Sequence, residues 1–425
     1  MNKTMANSAA TAFGRYLHGL RERRGLILQE VEDRALAAGH RIDKGTVSRF
    51  ERGRQRLSVP ALLPLGRIYA VPFEALLERL ELDHDAEQLE PSENGDTYED
   101  LSRRGRRALF RRSRKLEAYG CFRDAQDAFR AGRAHPAHET SEKAIAWLNL
   151  ATVARSLGKN RYALHELTEL RSTSGLDGGL ESIVLDRLGN CYRCLGHQSR
   201  AERCLEEAVV AATSANDPSV LAYAYYSWGA LEHDRGAWDR SLELLERAHR
   251  VHRESADSTG AARPNPTFEV EVLLKMADAQ LRRGAPDSSG RQALAARRLA
   301  VKRGYTAGLG YAEIQLGEVH DRVGRDARAM EHWFRAVELG REIANRRLEF
   351  LAEFQRFRQL TKAGSFSLAR ASRRNLERLA VSCPDHLEAV AEFRVLSNGQ
   401  DRGASRNSLI PAGRRTRHHL EGDRP

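Results

Sequence analysis

Residues that break or crosslink a backbone are scarce in this 425-residue chain, which has 12 Pro and 5 Cys. So few prolines leave long stretches free to run as helix. An odd number of cysteines at irregular spacing excludes a secreted disulfide scaffold and points to reduced thiols. Long apolar runs are missing as well: none approaches the roughly 20 residues that cross a bilayer. The opening MNKTMANSAATAFGRYL has no apolar segment of signal-peptide length. These absences set the expectation of a cytoplasmic chain with no membrane partner. Sustained strand-type alternation is also lacking, whereas apolar residues recur at helical spacing from end to end. The expected fold class is all-α.

Charge is abundant and unevenly placed. Lys and Arg number 69 against 58 Asp and Glu, for a formal charge of +11. That balance permits a polyanionic partner without requiring one, since solvated helical surfaces are also charge-rich. Residues 81–100, ELDHDAEQLEPSENGDTYED, carry nine acidic side chains and no Lys or Arg, and 101–116 follow with eight basic ones. The flip marks a domain boundary. The expected organisation is a disordered tail over 1–10, five short helices over 11–82 and an acidic linker over 83–100. A helical repeat region over 101–382, a capping helix over 383–398 and a disordered basic tail over 399–425 complete it.

The long second region repeats itself. Segments such as AIAWLNLATVARSLGKNRYALHEL (144–167) and YYSWGALEHDRGAWDRSLELLERA (225–248) each read as helix, Gly turn, helix. The turn glycines fall at 120, 158, 196, 236, 284, 324 and 364, a period near 40 with one insertion around SADSTGAARPNP. A fixed period of this length signals a helical-hairpin solenoid, because one hairpin alone cannot bury its apolar face. Trp147, Asn149, Leu150, Leu157, Gly158 and Ala163 occur in the order that resembles tetratricopeptide repeats. The same holds for Leu188, Gly189, Asn190, Tyr192, Leu195, Gly196, Ala201 and Ala208. The resemblance implies a right-handed superhelix with a concave groove. By the repeat register its groove-facing residues are Arg155, Asn190, Arg193, Tyr223, Tyr226, His233, Asp278, Tyr311, Glu318 and Asp321. Asn can bond a peptide backbone and Tyr offers apolar area with a polar tip. The groove therefore suits a peptide or protein ligand, or else a dimerisation surface.

Near the amino terminus, DKGTVSRFERGRQR (43–56) places Asp43 as an N-cap, with Val47 and Phe50 on one buried face and a crowd of cations outside. Together with LRERRGL (20–26) and SVPALLPLGRIYAVPFEALL (58–77), it resembles the Cro/C1-type helix-turn-helix domain of the XRE family. That resemblance implies a five-helix domain whose third helix enters the major groove of double-stranded DNA. By position in the motif, Lys44, Gly45 and Arg49 are base readers with Thr46 and Ser48 beside them, and Gly45 contributes close approach only. Arg52, Arg54 and Arg56 are expected on phosphates. Arg21 and Glu51 are expected to form a structural ion pair between the first and recognition helices. Residues 1–82 hold 14 Lys and Arg against 9 Asp and Glu, so affinity should fall with salt.

Departures from the family pattern accompany the match. Where the family has a polar cap followed by a phosphate-touching Gln, this chain has Ile27 and Leu28, with Gln29 one residue later. Glu32 replaces a small residue, and the turn LAAGHRID is about five residues longer than the family's.

Other constellations read as structural. Cys191, Cys194, His197 and Cys204 have suggestive metal-ligand spacing, but the repeat register scatters them between core and groove. His135 and His138 fall in a turn between repeats. No phosphate-binding Gly loop and no catalytic triad or carboxylate pair stands out, so neither enzymatic activity nor a metal or other cofactor is expected. A Cro/C1-type domain joined to tetratricopeptide repeats resembles the peptide-responsive regulators of Gram-positive quorum sensing, which implies a homodimeric transcriptional regulator. The competing reading is an interaction scaffold whose N-terminal domain does not read DNA.

Overall fold

The computed structural model describes residues 2–55, 58–87, 140–172, 176–258, 267–380 and 389–396. Every regular element among them is a helix. Five come first: α1 (Asn2–Arg23), α2 (Leu28–Ala37), α3 (Lys44–Glu51), α4 (Val59–Ile68) and α5 (Phe73–Glu87). Phe13, Leu17, Val31, Val47, Phe50 and Leu62 meet in their shared core. Local chemistry sets the boundaries. Asp43 caps α3 by accepting from the Thr46 amide at 2.7 Å, and Pro72 separates α4 from α5.

Twelve helices follow as hairpins: α6 (Thr140–Ser156), α7 (Asn160–Arg171), α8 (Gly178–Cys194), α9 (Gln198–Ser214), α10 (Pro218–Asp234) and α11 (Trp238–Ser258), then α12 (Phe268–Arg282), α13 (Pro286–Lys302), α14 (Thr306–Arg322), α15 (Asp326–Glu342), α16 (Arg346–Lys362) and α17 (Phe366–Ala380). A short helix α18 over 389–396 covers the end of the stack, burying Val390 and Phe393 against Phe350, Phe354 and Phe357.

Turn chemistry makes the hairpins. Gly236 ends α10 at φ +77° and Gly284 ends α12 at φ +91°, a backbone region closed to most side chains. Packing then follows a rule written in the sequence. A Cβ on Gly189 would lie 2.7 Å from Leu205, one on Gly229 would lie 2.9 Å from Leu245, and one on Gly317 would lie 2.3 Å from the Trp333 ring. In each of these three hairpins the glycine of the first helix receives a large side chain sixteen positions later. The two helices can approach only because that Cβ is absent.

Two expectations about boundaries are corrected. Residues 2–10, expected as a tail, are continuous with α1. The linker expected from 83 does not begin there, because α5 runs on to Glu87. Leu82 is buried among repeat residues, and Asp83 pairs with Arg79 one turn back at 2.9 Å. That contact offsets the helix-weakening effect of an acidic run. Residues 88–139, with the rest of the linker, the Gly120 turn, His135 and His138, lie outside the described residues, as do Arg56 and the tail over 399–425.

Gly317→Val is expected to overpack the α14–α15 hairpin and cost about 1–3 kcal/mol. The measurement is a lower urea midpoint for the full chain; an unchanged midpoint would show that Trp333 can swing clear.

Candidate nucleic-acid interface and ligand groove

Helix α3 is held by its neighbours before any ligand arrives. A Cβ on Gly14 of α1 would meet the Phe50 carbonyl oxygen at 2.4 Å, so α1 lies directly on the end of α3. Across that contact Arg21 forms a two-pronged ion pair with Glu51, Nε to Oε1 at 2.7 Å and Nη2 to Oε2 at 2.9 Å. His18 Nδ1 adds a contact to Glu51 at 2.9 Å. Both members of the expected pair are shielded, with side chains 13% and 7% exposed. The bond to Glu51 raises the already high pKa of Arg21 against the cost of burial.

The outward face of α3 carries the residues expected to read DNA. Lys44, Arg49, Arg52 and Arg54 are exposed, while Gly45, Thr46 and Ser48 are half-buried beside them. Arg49 is steered by two bonds, donating to Gln55 at 2.9 Å and to the Thr46 hydroxyl at 2.7 Å. Lys44 Nζ donates to Gln29 on α2 at 2.9 Å. A side chain at Gly45 would crowd the Asp43 cap at 2.9 Å, so the small residue keeps the start of α3 intact. The departures have visible consequences. Ile27 takes the cap position of α2 with no side-chain acceptor, and Glu30 serves its amide instead at 2.8 Å. Glu32 accepts from the Lys44 amide at 3.2 Å, which fastens the end of the long turn.

The second candidate site is the groove formed by the first helices of successive hairpins. A ladder of polar contacts runs along it. Arg193 on α8 pairs with Asp234 on α10. His233 on α10 meets Asp278 on α12 at 2.9 Å. Gln355 on α16 donates to Glu318 on α14 at 2.7 Å, and Lys362 meets Asp321 at 3.5 Å. Between α12 and α14 Asp278 and Glu318 are carboxylates repelling one another, with Arg282 beside them in opposition. Burial, reinforced by Asp278, raises Glu318 to about 7. Burial also presses on His233, but hydrogen bonds to Asp234 and Asp278 overcome it and hold the imidazole above its usual pKa. Asp278 lies at about 2, where burial is outweighed by the His233 bond and nearby cations. Lys275 is pushed down by burial, with Asp278 and Asp234 opposing.

Not all ten expected groove residues serve as expected. Asn190 is buried, its amide donating to Ser227 and to the Asp186 carbonyl at 2.9 Å each. Tyr223 and Tyr226 pack on Phe268 with ring centroids at 4.3 and 5.6 Å. Tyr311 joins the apolar contacts of Ile314 and Leu348. Their shared reason is the tight spacing of hairpins, which draws side chains at the helix flank into the seam. Arg155 is half-buried near the end of α6. Asp234, Lys275, Gln355 and Lys362 escaped the sequence reading, although Lys275 lies one turn before Asp278 and shares its stripe.

Residues 12–80 match the family described as Helix-turn-helix domain. The chain is a helix-turn-helix domain joined to tetratricopeptide-like repeats. No curated protein matches its sequence. Among solved structures it is similar to a Rap protein complexed with competence and sporulation factor, at 13% identity and TM-score 0.52, covering 74% of this chain and 90% of that one. It is similar also to the Rap conjugation gene regulator of plasmid pLS20 in complex with the Phr* peptide. That likeness has 11% identity and TM-score 0.52, and covers 92% of this chain and 96% of that one. Both likenesses establish a shared repeat fold.

The helix-turn-helix domain is seated directly on the repeats. Arg79 of α5 pairs with Asp83 and donates to the Tyr162 hydroxyl of α7 at 2.5 Å, with its guanidinium 4.7 Å from the Tyr16 ring centroid. Glu166 of α7 accepts from Tyr16 at 3.0 Å and from Trp147 at 2.7 Å, and Arg23 lies 3.4 Å away. Arg24 meets Glu169 at 2.9 Å. Among the described residues no helix is long and apolar enough to cross a membrane. Cys191 is buried in the α6–α8 core with Cys204 packed at its edge, and burial raises the Cys191 thiol to about 12; among the described residues no group of three or more His, Cys, Asp or Glu could hold a metal ion.

Two outcomes follow. Glu51→Ala leaves Arg21 shielded and unpaired, and should cost about 3–5 kcal/mol of stability, read as a lower melting temperature of the helix-turn-helix domain. For Glu318 the folded pKa lies above the unfolded one, so the folded state holds the extra proton. Stability should therefore be full below about pH 4.5 and fall as pH rises through about 7. Denaturation midpoints across pH 5–8 should show this slope in the native chain and a shallower one in Glu318→Gln, where His233 still titrates above its usual pKa.

Proposed function

We propose that the chain is a cytoplasmic, Cro/C1-type transcriptional regulator that binds a specific double-stranded DNA sequence as a homodimer and senses a peptide in its repeat groove. The observation that carries the DNA half is the exposed face of α3, where Lys44 and a steered Arg49 project from a helix fixed by Gly14 and the Arg21–Glu51 pair. A rigid helix offering Lys and Arg suits guanine N7 and O6 in the major groove. Arg52 and Arg54 at its end suit phosphates. Gln29, tethered to Lys44, lies where it can extend that contact line. The Rap conjugation gene regulator is complexed with the Phr* peptide, and its likeness in repeat fold supports the peptide half of the reading. No catalytic role is assigned.

A second reading, a protein-interaction scaffold, draws on one observation: Glu32 and Asp33 place carboxylates beside Lys44 and Gln29, where a phosphate backbone would approach. The two readings part on one experiment. Genomic fragments captured by the full chain should share a near-palindromic motif with half-sites about 34 Å apart. Lys44→Ala and Arg49→Ala should each weaken binding to that motif by about 1–3 kcal/mol, measured by fluorescence anisotropy at fixed salt. Capture of random fragments, or variants that bind as well as the native chain, would favour the scaffold.

A further inference from the structure

At the α14–α16 step the polar ladder of the groove runs into a cleft. It encloses about 430 Å³ and is lined by side chains of α14, α15, α16 and the short helix α18. That size falls within the roughly 300–1,000 Å³ of small-ligand sites. The apolar lining comes from Trp333 on α15, Phe357 on α16 and Leu396 on α18. Trp333 directs its one donor into the fold, Nε1 donating to the Ile314 carbonyl at 3.3 Å, so its indole offers the cleft apolar surface alone. Phe357 is held edge-on against Phe393, with ring centroids 5.9 Å apart. Leu396 is 40% exposed, an apolar wall that the described chain leaves to solvent.

The same cleft carries four charges. Arg358 and Lys362 lie one turn apart on α16, the spacing that brings two helical side chains to one spot. Their carboxylate partners are on separate helices: Lys362 meets Asp321 of α14 at 3.5 Å, and Arg358 meets Glu392 of α18 at 3.7 Å. Both pairs are long against the roughly 2.7–2.9 Å of a charge-assisted bond. All four side chains are at least 38% exposed. Arg358 also donates to Gln355 at 3.3 Å. Exposed pairs of this kind contribute little to stability, so the two cations can turn to a third acceptor at small cost.

We infer that this cleft is a binding site for a carboxylate borne on an apolar or aromatic body, the carboxylate bridging Arg358 and Lys362 and the body resting on Trp333, Phe357 and Leu396. Charge decides the class. Two cations face two carboxylates, so a single negative charge is accommodated, whereas a phosphate dianion would meet Asp321 and Glu392 with twice the repulsion. A cationic ligand would find its carboxylates on two different helices, each already met by α16. Two sources supply the favoured chemistry: the last residue of a peptide lying in the groove, and a free small acid. The first rests on the groove being a peptide site; the second does not.

The test uses the full chain and N-acetylated peptide pools, randomised except for a terminal Phe, made as the free acid and as the amide. A third pool ends in Gly as the free acid, and 3-phenylpropanoate with its amide forms the small-molecule arm. Calorimetric titration should show the Phe acid pool binding about tenfold more tightly than its amide. Arg358→Gln and Lys362→Gln, both on exposed side chains, should each weaken the acid by about fivefold and leave the amide alone. Lys302→Gln, on the exposed end of α13, should change neither. Leu396→Ser should bring the Phe acid pool down towards the Gly one, and equal binding of those two pools to the native chain would overturn the apolar half of the site. If 3-phenylpropanoate binds with the same dependence on Arg358 and Lys362 while no pool binds, the site stands as one for a free acid and the peptide reading of the groove fails. If the Phe acid pool binds and 3-phenylpropanoate does not, the source is a peptide terminus and both readings stand. Equal binding of acid and amide in both arms, or acid binding unchanged in Arg358→Gln and Lys362→Gln, would overturn the site while leaving the groove to peptides. Binding of nothing would overturn both.

Discussion

One steric constraint recurs along the solenoid: in three hairpins the first helix has no side chain opposite a large residue of the second. Gly189 under Leu205, Gly229 under Leu245 and Gly317 under Trp333 repeat this contact along the stack. Close-packed interiors tolerate neither a void nor an extra methyl at such a point. The spacing of these pairs sets the distance between helices within each hairpin, and hence the pitch with which one hairpin stacks on the next. The groove inherits its shape from that pitch. Its polar ladder is a consequence, because only a fixed distance between α8, α10 and α12 lets Arg193 reach Asp234 and His233 reach Asp278.

The helix-turn-helix half depends on a similar economy. Gly14 allows α1 to touch the end of α3, and Arg21 then spans the contact to Glu51. The result is a helix positioned from behind, with its outer face left exposed. Preorganisation of this kind lowers the ordering cost of binding. The same logic explains why an unusual cap at Ile27 and a long turn before α3 are tolerated: Glu30 and Glu32 supply the missing acceptors from side chains nearby.

Much of this was legible in the residues. The turn glycines from Gly158 to Gly364, the amphipathic helices and the Asp43 cap all depend on short-range chemistry, and among the described residues they are where the sequence places them. The Arg21–Glu51 pair was reached through family resemblance and is present at 2.7 Å. What sequence could not give was partnership across helices. Asn190 has the composition of a peptide contact, yet Ser227 of the next hairpin claims its amide. Tyr223 and Tyr226 have the look of ligand-facing aromatics, yet Phe268 lies within reach. The end of α5 was misjudged because composition marked residues 83–87 as linker, while burial of Leu82 and the Arg79–Asp83 pair keep them helical. Each of these outcomes is decided by a residue tens of positions away, which periodicity does not encode.

Helix α5 belongs to two cores at once. Its Ala75 and Leu76 lie inside the helix-turn-helix domain, and its Leu82 lies inside the first described hairpins. Arg79, wedged between Tyr16 and Tyr162, pins the crossing from both sides. A shared axle of this kind leaves no swivel at the joint. The helix-turn-helix domain and the first described hairpins thus share one continuous rod, and neither core is complete without it.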